Sequence, residues 1–154
     1  MADPMPDDDQ EPKLFTLTEA ERLRSEIEPI LVQAMESRRK LAPVAERLGE
    51  LASRISMAGG MLVGYEEAAH LRIEHDHLAL SVRTALEHIE STGCVVKDLD
   101  VGLLDFPSVI DDEEVYLCWR LGEDRIRFYH RQDEGFAGRK PLDPRDRGHS
   151  NPIQ

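Results

Sequence analysis

The sequence contains few aromatic residues and no long apolar run. Aromatic residues make up 5% of its 154 residues, whereas charged residues make up 32%. This balance indicates long, solvated helices rather than a thick apolar core. No apolar stretch approaches the roughly 20 residues that a membrane-spanning helix requires, so we expect no membrane span. The length fits one domain better than two.

Cysteine is also scarce, since the chain contains only Cys94 and Cys118. Both lie in apolar, strand-like segments, and their spacing matches no metal-ligand motif. We therefore expect two reduced, buried thiols in a cytoplasmic protein and no metal site, with a Cys94–Cys118 disulfide as the alternative. The beginning, MADPMPDDDQ, lacks the basic start and apolar core of a secretory signal, which agrees with a cytoplasmic location.

Positive charge is in short supply, because the formal net charge is -12. Neutralisation of phosphates by Lys and Arg supplies most non-specific affinity for nucleic acids, so this acidity argues against a nucleic-acid partner. It argues equally against docking on an anionic membrane surface. Only the stretch 120–140 is locally basic. The acidic residues 1–13 are predicted to be disordered, and the polar ending 144–154 is predicted to be a flexible tail.

Apolar residues recur at heptad spacing along the first third of the chain. The pattern predicts a helix over about 18–56, with Thr18 as its N-cap and Glu21 as the capping-box partner. Pro29 and Pro43 interrupt this stretch, and each would cost about 3 kcal/mol inside a straight helix. Because the heptad register continues past both prolines, we expect a kinked continuous helix, with a break near Pro43 as the alternative.

A second heptad pattern predicts a helix over about 65–91, which Gly93 ends as a left-handed cap. The short connection predicts an antiparallel, coiled-coil-like hairpin of the two helices. At about 1.5 Å per residue, the first helix would be about 58 Å long and the second about 40 Å, so the first overhangs its partner. Either the C-terminal strands or a second copy of the chain would cover this overhang.

After Gly93 the apolar period changes to two, which indicates short strands within 94–131. In the stretch 115–121, alternation places Tyr116, Cys118 and Arg120 on the face opposite Trp119. The predicted fold is α+β: a long antiparallel helical hairpin packed on a small C-terminal antiparallel sheet of about three strands. One domain would span 14–143.

A group of arginines is the first candidate site. Arg120, Arg127 and Arg139 lie in the basic stretch, and the segment from Gly135 to Gly138 precedes the last of them. The planar fork of arginine suits carboxylates and phosphates. A loop with glycines at both ends can present successive backbone N–H groups to an anion. The alternative is that these arginines pair with the many nearby acids as ordinary surface charges.

His130 is the centre of the second candidate site, with Asp133 and with Asp105 from a preceding extended segment. A histidine with carboxylates could ligate a metal, or act as a base beside an orienting acid. No pair among them has the spacing of a known metal site. The alternative is a histidine at a strand end that is hydrogen-bonded to a loop aspartate.

Four segments together resemble a known family: LFTLTEAERL, GLLDFPSV, VYLCWRLGE and FYHRQDEGFAGRKPL. They are similar to a bacterial family catalogued as domain of unknown function 2203, over about Leu14 to Asp143. The resemblance implies that Trp119–Glu123, His130, Asp133 and Gly135–Arg139 form the family's signature. It implies no activity, cofactor or role for any of these residues.

Two functions are compatible with these patterns. The long heptad register and the absence of a catalytic motif favour a non-enzymatic interaction module in the cytoplasm. It would act as a homodimer or on a protein partner, through the helical seam or a hairpin tip that contains Met57, Met61, Leu62 and Val63. The alternative is a small anionic-ligand or metal-binding site, enzymatic or not, at the sheet end. The sequence names no cofactor and does not decide whether the protein is an enzyme.

Overall fold

Two long helices precede a sheet in this computed structural model, which describes residues 13–57 and 64–142. The predicted C-terminal tail, 144–154, lies outside the described residues, and so does the predicted N-terminal tail except for Lys13. The part of the hairpin tip that follows Met57 also lies outside them. In the described part of the chain, no helix is both long and apolar enough to cross a membrane.

Helix α1 spans Leu17–Met57 and helix α2 spans Tyr65–Ser91. Pro29 and Pro43 both lie inside α1, which confirms a continuous helix and makes the alternative break near Pro43 wrong. Both proline side chains lie on the exposed surface of α1. Each proline removes one helical hydrogen bond, and its ring lies on the solvent side of α1.

The two helices pack antiparallel, as the short connection predicts. Arg47 Nε donates to Glu67 Oε1 at 2.9 Å, near the connection between the helices. Farther along, Ser37 Oγ lies 3.2 Å from Ser81 Oγ. Ser37 is the one polar residue among the heptad positions that predict α1, and this contact gives its hydroxyl a partner on the facing helix.

The start of α1 differs from the prediction by two residues. Thr16 rather than Thr18 is the capping residue, because its Oγ1 accepts a hydrogen bond from the Glu19 backbone N–H at 3.0 Å. The Glu19 carboxylate in turn accepts from the Thr16 N–H at 3.4 Å, which completes the capping box. Glu21, the predicted partner, instead accepts hydrogen bonds from Arg24 and from the backbone N–H of Ile126.

After α2 the chain forms a five-stranded antiparallel meander in which neighbours in sequence are neighbours in the sheet. This confirms the α+β fold, although the sheet has more strands than expected and its last strand lies beyond the predicted region. The strands are β1 (Val95–Asp98), β2 (Leu103–Ile110), β3 (Glu113–Arg120), β4 (Phe128–Arg131) and β5 (Lys140–Pro141).

One face of the sheet packs against the first turns of α1. The Phe15 and Phe106 rings meet edge to face with centroids 5.6 Å apart, and Ser108 Oγ donates to the Phe15 carbonyl at 2.7 Å. The Arg24 guanidinium lies 5.3 Å from the centre of the Trp119 ring. The sheet therefore covers the overhanging part of α1. We call this face, which carries Phe106, Ser108 and Trp119, the inner face.

Candidate functional site

The opposite face of the sheet, which points away from the helices, carries a buried polar cluster. Asp105 on β2 pairs directly with Cys118 on β3, and Tyr116 on β3 pairs with His130 on β4. Side chains alternate between the two faces along a strand, and directly paired residues on neighbouring strands lie on the same face. Asp105, Cys118, Tyr116 and His130 therefore all lie on the face opposite Trp119. We call this the outer face, and Asp105, Cys118 and His130 together the outer-face site.

Asp105 and His130 form a hydrogen-bonded pair that is shielded from solvent. His130 Nε2 lies 2.9 Å from Asp105 Oδ2, and the residues are 3% and 1% exposed. The other carboxylate oxygen, Oδ1 of Asp105, is buried and has no hydrogen-bond partner among the described residues. Burial of two ionisable groups is costly unless their hydrogen bonds are satisfied, and here one acceptor is left over.

The hydrogen-bond partners of Asp105 and His130 determine which of their atoms carry protons. His130 Nδ1 lies 2.8 Å from the Arg131 carbonyl oxygen, which can only accept, so Nδ1 carries a hydrogen. One further proton is then shared between His130 Nε2 and Asp105 Oδ2. The pair is neutral when the carboxyl group holds this proton and an ion pair when the imidazole holds it.

Burial changes the acidity of two members of the outer-face site. It raises the pKa of the Asp105 carboxyl above its ordinary value, while the neighbouring His130 and, to a smaller extent, Cys118 and Lys97 oppose this shift. Burial, together with the charge of Asp105, raises the pKa of the Cys118 thiol to about 12. Cys118 therefore carries its proton at neutral pH. Both cysteines are free, which makes the alternative of a disulfide wrong.

A small cavity opens onto the outer-face site. It has a volume of about 140 Å³ and is lined by Lys97, Leu103, Asp105, His130, Gln132, Glu134, Gly135 and Phe136. The segment 132–139, between β4 and β5, supplies four of these residues, and we call it the cover loop. Lys97 lies on the opposite rim, with its ammonium group 5.3 Å from the centre of the Tyr116 ring.

Arg139 fastens the end of the cover loop to the sheet. Its guanidinium lies 4.0 Å from the Phe128 ring centre and 4.2 Å from that of Phe136. Its Nη1 also donates to Glu123 Oε1 at 3.0 Å. The Trp119 indole donates to the Glu123 backbone carbonyl at 3.0 Å, which ties this corner to the inner face. Arg139 is thus engaged as a structural clamp.

The other two predicted arginines lie on the surface. Arg127 is exposed and pairs with Asp124 at 2.8 Å, as the surface-charge alternative predicts. Arg120 is exposed, and its guanidinium lies 5.8 Å from the Phe136 ring centre. The structure therefore gathers Arg120 and Arg139 around Phe136 and leaves Arg127 outside this group.

The remaining predicted residues lie in the cover loop. Asp133 is exposed, and among the described residues no hydrogen bond joins it to His130, whose carboxylate partner is Asp105. The backbone N–H groups of Gly138 and Arg139 donate within the turn, to the carbonyls of Gly135 and Phe136. These two donors are therefore not directed toward an anion.

The sequence predicts a site centred on His130, with Asp105 as a neighbour. Cys118 is predicted only to be a reduced, buried thiol, because its spacing to other ligands matches no motif. The alternation in β3 was the available signal. It places Cys118 on the same face as Tyr116 and Arg120, opposite Trp119.

Comparison with known proteins gives a family but no relative of known function. Residues 13–142 match the model of a family described as "Uncharacterized conserved protein (DUF2203)". No curated protein matches the chain, and no solved structure matches it. The family match spans both helices, the sheet and every residue of the outer-face site, and by that match the chain belongs to the DUF2203 family.

Proposed function

We propose that the chain is a cytoplasmic ligand-binding domain whose outer-face site takes a small ion or polar molecule. One observation carries this proposal: Asp105 Oδ1 is buried without a partner beside a cavity of about 140 Å³. Buried polar atoms in native proteins are nearly always hydrogen-bonded, so an unpartnered oxygen calls for an explanation. Buried titratable groups beside a cavity are typical of functional sites. The two free thiols support a reducing location.

The chemistry of the pair restricts what such a ligand could be. The Asp105–His130 pair holds one exchangeable proton, so a cation could replace that proton. A neutral polar molecule could instead hydrogen-bond to Asp105 Oδ1 from the cavity. An anion is disfavoured, because it would lie beside the Asp105 and Glu134 carboxyl groups, and because Arg139 already pairs with Glu123.

A panel of defined probes tests the proposal. Purified full-length protein would be mixed separately with divalent metal ions, phosphate, sulfate, short carboxylates and small amines. Binding would be followed by thermal unfolding and by native mass spectrometry. We expect at least one probe to bind with a stoichiometry of one and to raise the melting temperature, since a ligand that binds only the folded state stabilises it.

Two variants separate the outer-face site from the rest of the surface. Asp105→Asn keeps the shape of the side chain and removes its charge, so it should abolish binding of that probe. Asp133→Asn makes the same chemical change on the exposed part of the cover loop and should leave binding intact. A panel in which nothing binds, or binding that Asp105→Asn does not alter, would contradict the proposal.

A second candidate function is self-association through the helical hairpin. Ile73 and Leu80 are 69% and 51% exposed, and they lie seven residues apart on one stripe of α2. Beside Leu80 is a shallow groove of about 410 Å³ that also includes Ile30, His77 and Ala85. A heptad-spaced apolar stripe can pack against its own copy across a twofold axis.

Light scattering after size exclusion would test this second function. A dimer that Leu80→Glu converts to a monomer, while Arg72→Glu on the adjacent α2 surface leaves it intact, would support self-association through this stripe. A monomeric wild-type protein at high concentration would contradict it. The hairpin tip offers no test here, because residues 58–63 lie outside the described part of the chain.

A further inference from the structure

The outer-face site contains three donors of the kinds that bind transition metals. Cys118 Sγ, a carboxylate oxygen of Asp105 and a ring nitrogen of His130 all lie within 4.8 Å of one another, and all three residues are buried. Within residues 13–57 and 64–142, it is the one such cluster of three or more histidine, cysteine or acidic side chains. Mixed sulfur, nitrogen and oxygen donors are the ligand set that zinc uses in proteins.

The distances suit a tetrahedral ion after a small adjustment. Zinc binds sulfur at about 2.3 Å and imidazole nitrogen at about 2.0–2.1 Å, so its ligands lie about 3.3–3.8 Å from one another. The separation of His130 Nε2 from Asp105 Oδ2, 2.9 Å, would need to widen slightly. The donor atoms lie within 4.8 Å of one another, so the widest separation would need to contract by about 1 Å.

The surroundings of His130 already orient it for a metal. Ligating histidines commonly donate the N–H of their other ring nitrogen to a backbone carbonyl, which fixes the tautomer and aims the free nitrogen at the ion. His130 Nδ1 makes such a contact with the Arg131 carbonyl at 2.8 Å. Its Nε2 then points toward Asp105, where an ion would take the place of the shared proton.

Two further features of the site fit a bound cation: the unpartnered oxygen of Asp105 and the adjacent cavity. A cation beside Asp105 would stabilise the buried carboxylate, including the oxygen Oδ1 that has no hydrogen bond. The cavity borders both Asp105 and His130, so a fourth coordination position would face it. Three protein ligands with one open position are typical of zinc sites that bind a water or a substrate.

Positive charge near the site does not prevent the binding of a metal ion. The Arg139 guanidinium, which interacts with Cys118, is balanced by its ion pair with Glu123 at 3.0 Å. The Lys97 ammonium lies on the exposed rim and faces the Tyr116 ring. A thiolate and a carboxylate together would neutralise the two charges of a zinc ion.

We propose that the outer-face site holds one Zn²⁺ ion through Cys118 Sγ, His130 Nε2 and the Asp105 carboxylate, with its fourth position open to the cavity. This inference rests on the proposed function, because it names the ligand of the same site. On binding, the thiol proton and the proton shared by Asp105 and His130 pass to the solvent.

Spectroscopy with cobalt and competition with zinc test the donor set. EDTA-treated full-length protein would be titrated with Co²⁺, and Zn²⁺ affinity would be measured against a chromophoric chelator. We expect one equivalent of each ion and a sulfur-to-cobalt charge-transfer band. Cys118→Ala should abolish the band and weaken zinc binding more than about 100-fold. His130→Gln should weaken zinc binding to a similar extent.

The matched control is Cys94→Ala, which removes the only other thiol and should keep both the band and the affinity. Circular dichroism would confirm that each variant is folded, and Cys118→Ser is the substitute if Cys118→Ala does not fold. The zinc assignment is overturned if neither ion binds, or if binding survives the loss of Cys118. If zinc fails while another probe binds in an Asp105-dependent manner, only the zinc assignment falls; if no probe binds, the proposed function falls with it.

Discussion

His130 Nε2 lies 2.9 Å from Asp105 Oδ2 on the sheet face that points away from the helices. Such a face is ordinarily solvated in a two-layer α+β domain, yet both residues are buried beside the cover loop. The pair therefore has a structural consequence that is independent of any ligand. Each member is buried only because the other satisfies part of its hydrogen-bonding capacity.

Removal of His130 should destabilise the fold strongly. His130→Ala leaves the Asp105 carboxyl buried without its partner, and loss of one member of a buried pair costs about 3–5 kcal/mol. We expect a loss of about 3 kcal/mol in the free energy of unfolding, measured by urea denaturation. The pKa of Asp105 is raised by burial, so protonation of the carboxyl places the loss at the lower end of that range.

A double variant separates coupling from simple loss of packing. Asp105→Asn combined with His130→Ala removes the charge that was left unpaired, so its loss should be smaller than the sum of the two single losses. Asp133→Ala, on the exposed part of the cover loop, should change stability by no more than about 0.5 kcal/mol. Strict additivity of the two site variants would contradict the pairing.

Both cysteines should react slowly in the folded protein. Burial raises the pKa of Cys94, and it raises the pKa of Cys118 to about 12. A thiol is protonated at any pH below its pKa, so at pH 8 only roughly one Cys118 thiol in 10⁴ would be the reactive thiolate. We expect negligible reaction of the EDTA-treated protein with Ellman's reagent at pH 8 in buffer, and rapid reaction of both thiols in urea.

The rate at which the thiols react should depend on pH. Reactivity of the native protein should rise as the pH increases toward the raised pKa, until alkaline unfolding intervenes. Cys94→Ala assigns the remaining signal to Cys118. Fast labelling of this variant at pH 8 without urea would show that Cys118 is accessible and ionised, contrary to the structure.

The helical and sheet regions could be predicted because their periodicities are local properties of the sequence. The exact start of α1 could not be predicted, because the segments TLTE and TEAE overlap and both fit a capping box. Tertiary contacts decide between them: Phe15 is buried against Phe106, and Glu21 is occupied by the Ile126 N–H. Neither contact can be inferred from a local pattern.

The outer-face site was only half predictable for a related reason. His130 was identified by its chemistry, whereas Cys118 joins it only because β2, β3 and β4 pair in one particular register. Spacing motifs describe ligands on one element or on adjacent turns. A site built from three neighbouring strands has no fixed spacing, since the loop lengths between strands can vary.

The capping box at the start of α1 gives a prediction on helix stability. Thr16→Ala removes the side-chain oxygen that accepts from the Glu19 N–H at 3.0 Å. Loss of such a cap typically costs about 1 kcal/mol. We expect the free energy of unfolding, measured by urea denaturation, to decrease by that amount. Ser53→Ala, an exposed change within α1, should alter stability by less than about 0.5 kcal/mol. Equal effects of the two variants would argue against a cap at Thr16.

The cover loop should depend on Arg139 for its order. Arg139→Ala removes the guanidinium from between the Phe128 and Phe136 rings and breaks its bond to Glu123. Cation–π contacts contribute about 0.5–2 kcal/mol each, depending on desolvation, so the loop should open more often. We expect faster amide hydrogen exchange in the peptide that spans 132–139, measured by mass spectrometry, with little change in α1 or α2.

Arg127→Ala is the matched control for the cover loop. Arg127 also pairs with a local carboxylate, but that pair is exposed, and exposed pairs contribute about 0–1 kcal/mol. Its exchange pattern should therefore match that of the wild type. Opening of the loop in Arg139→Ala should also speed the labelling of Cys118, because the outer-face site lies below it. Unchanged exchange in residues 132–139 after loss of Arg139 would mean that the loop is held by other contacts.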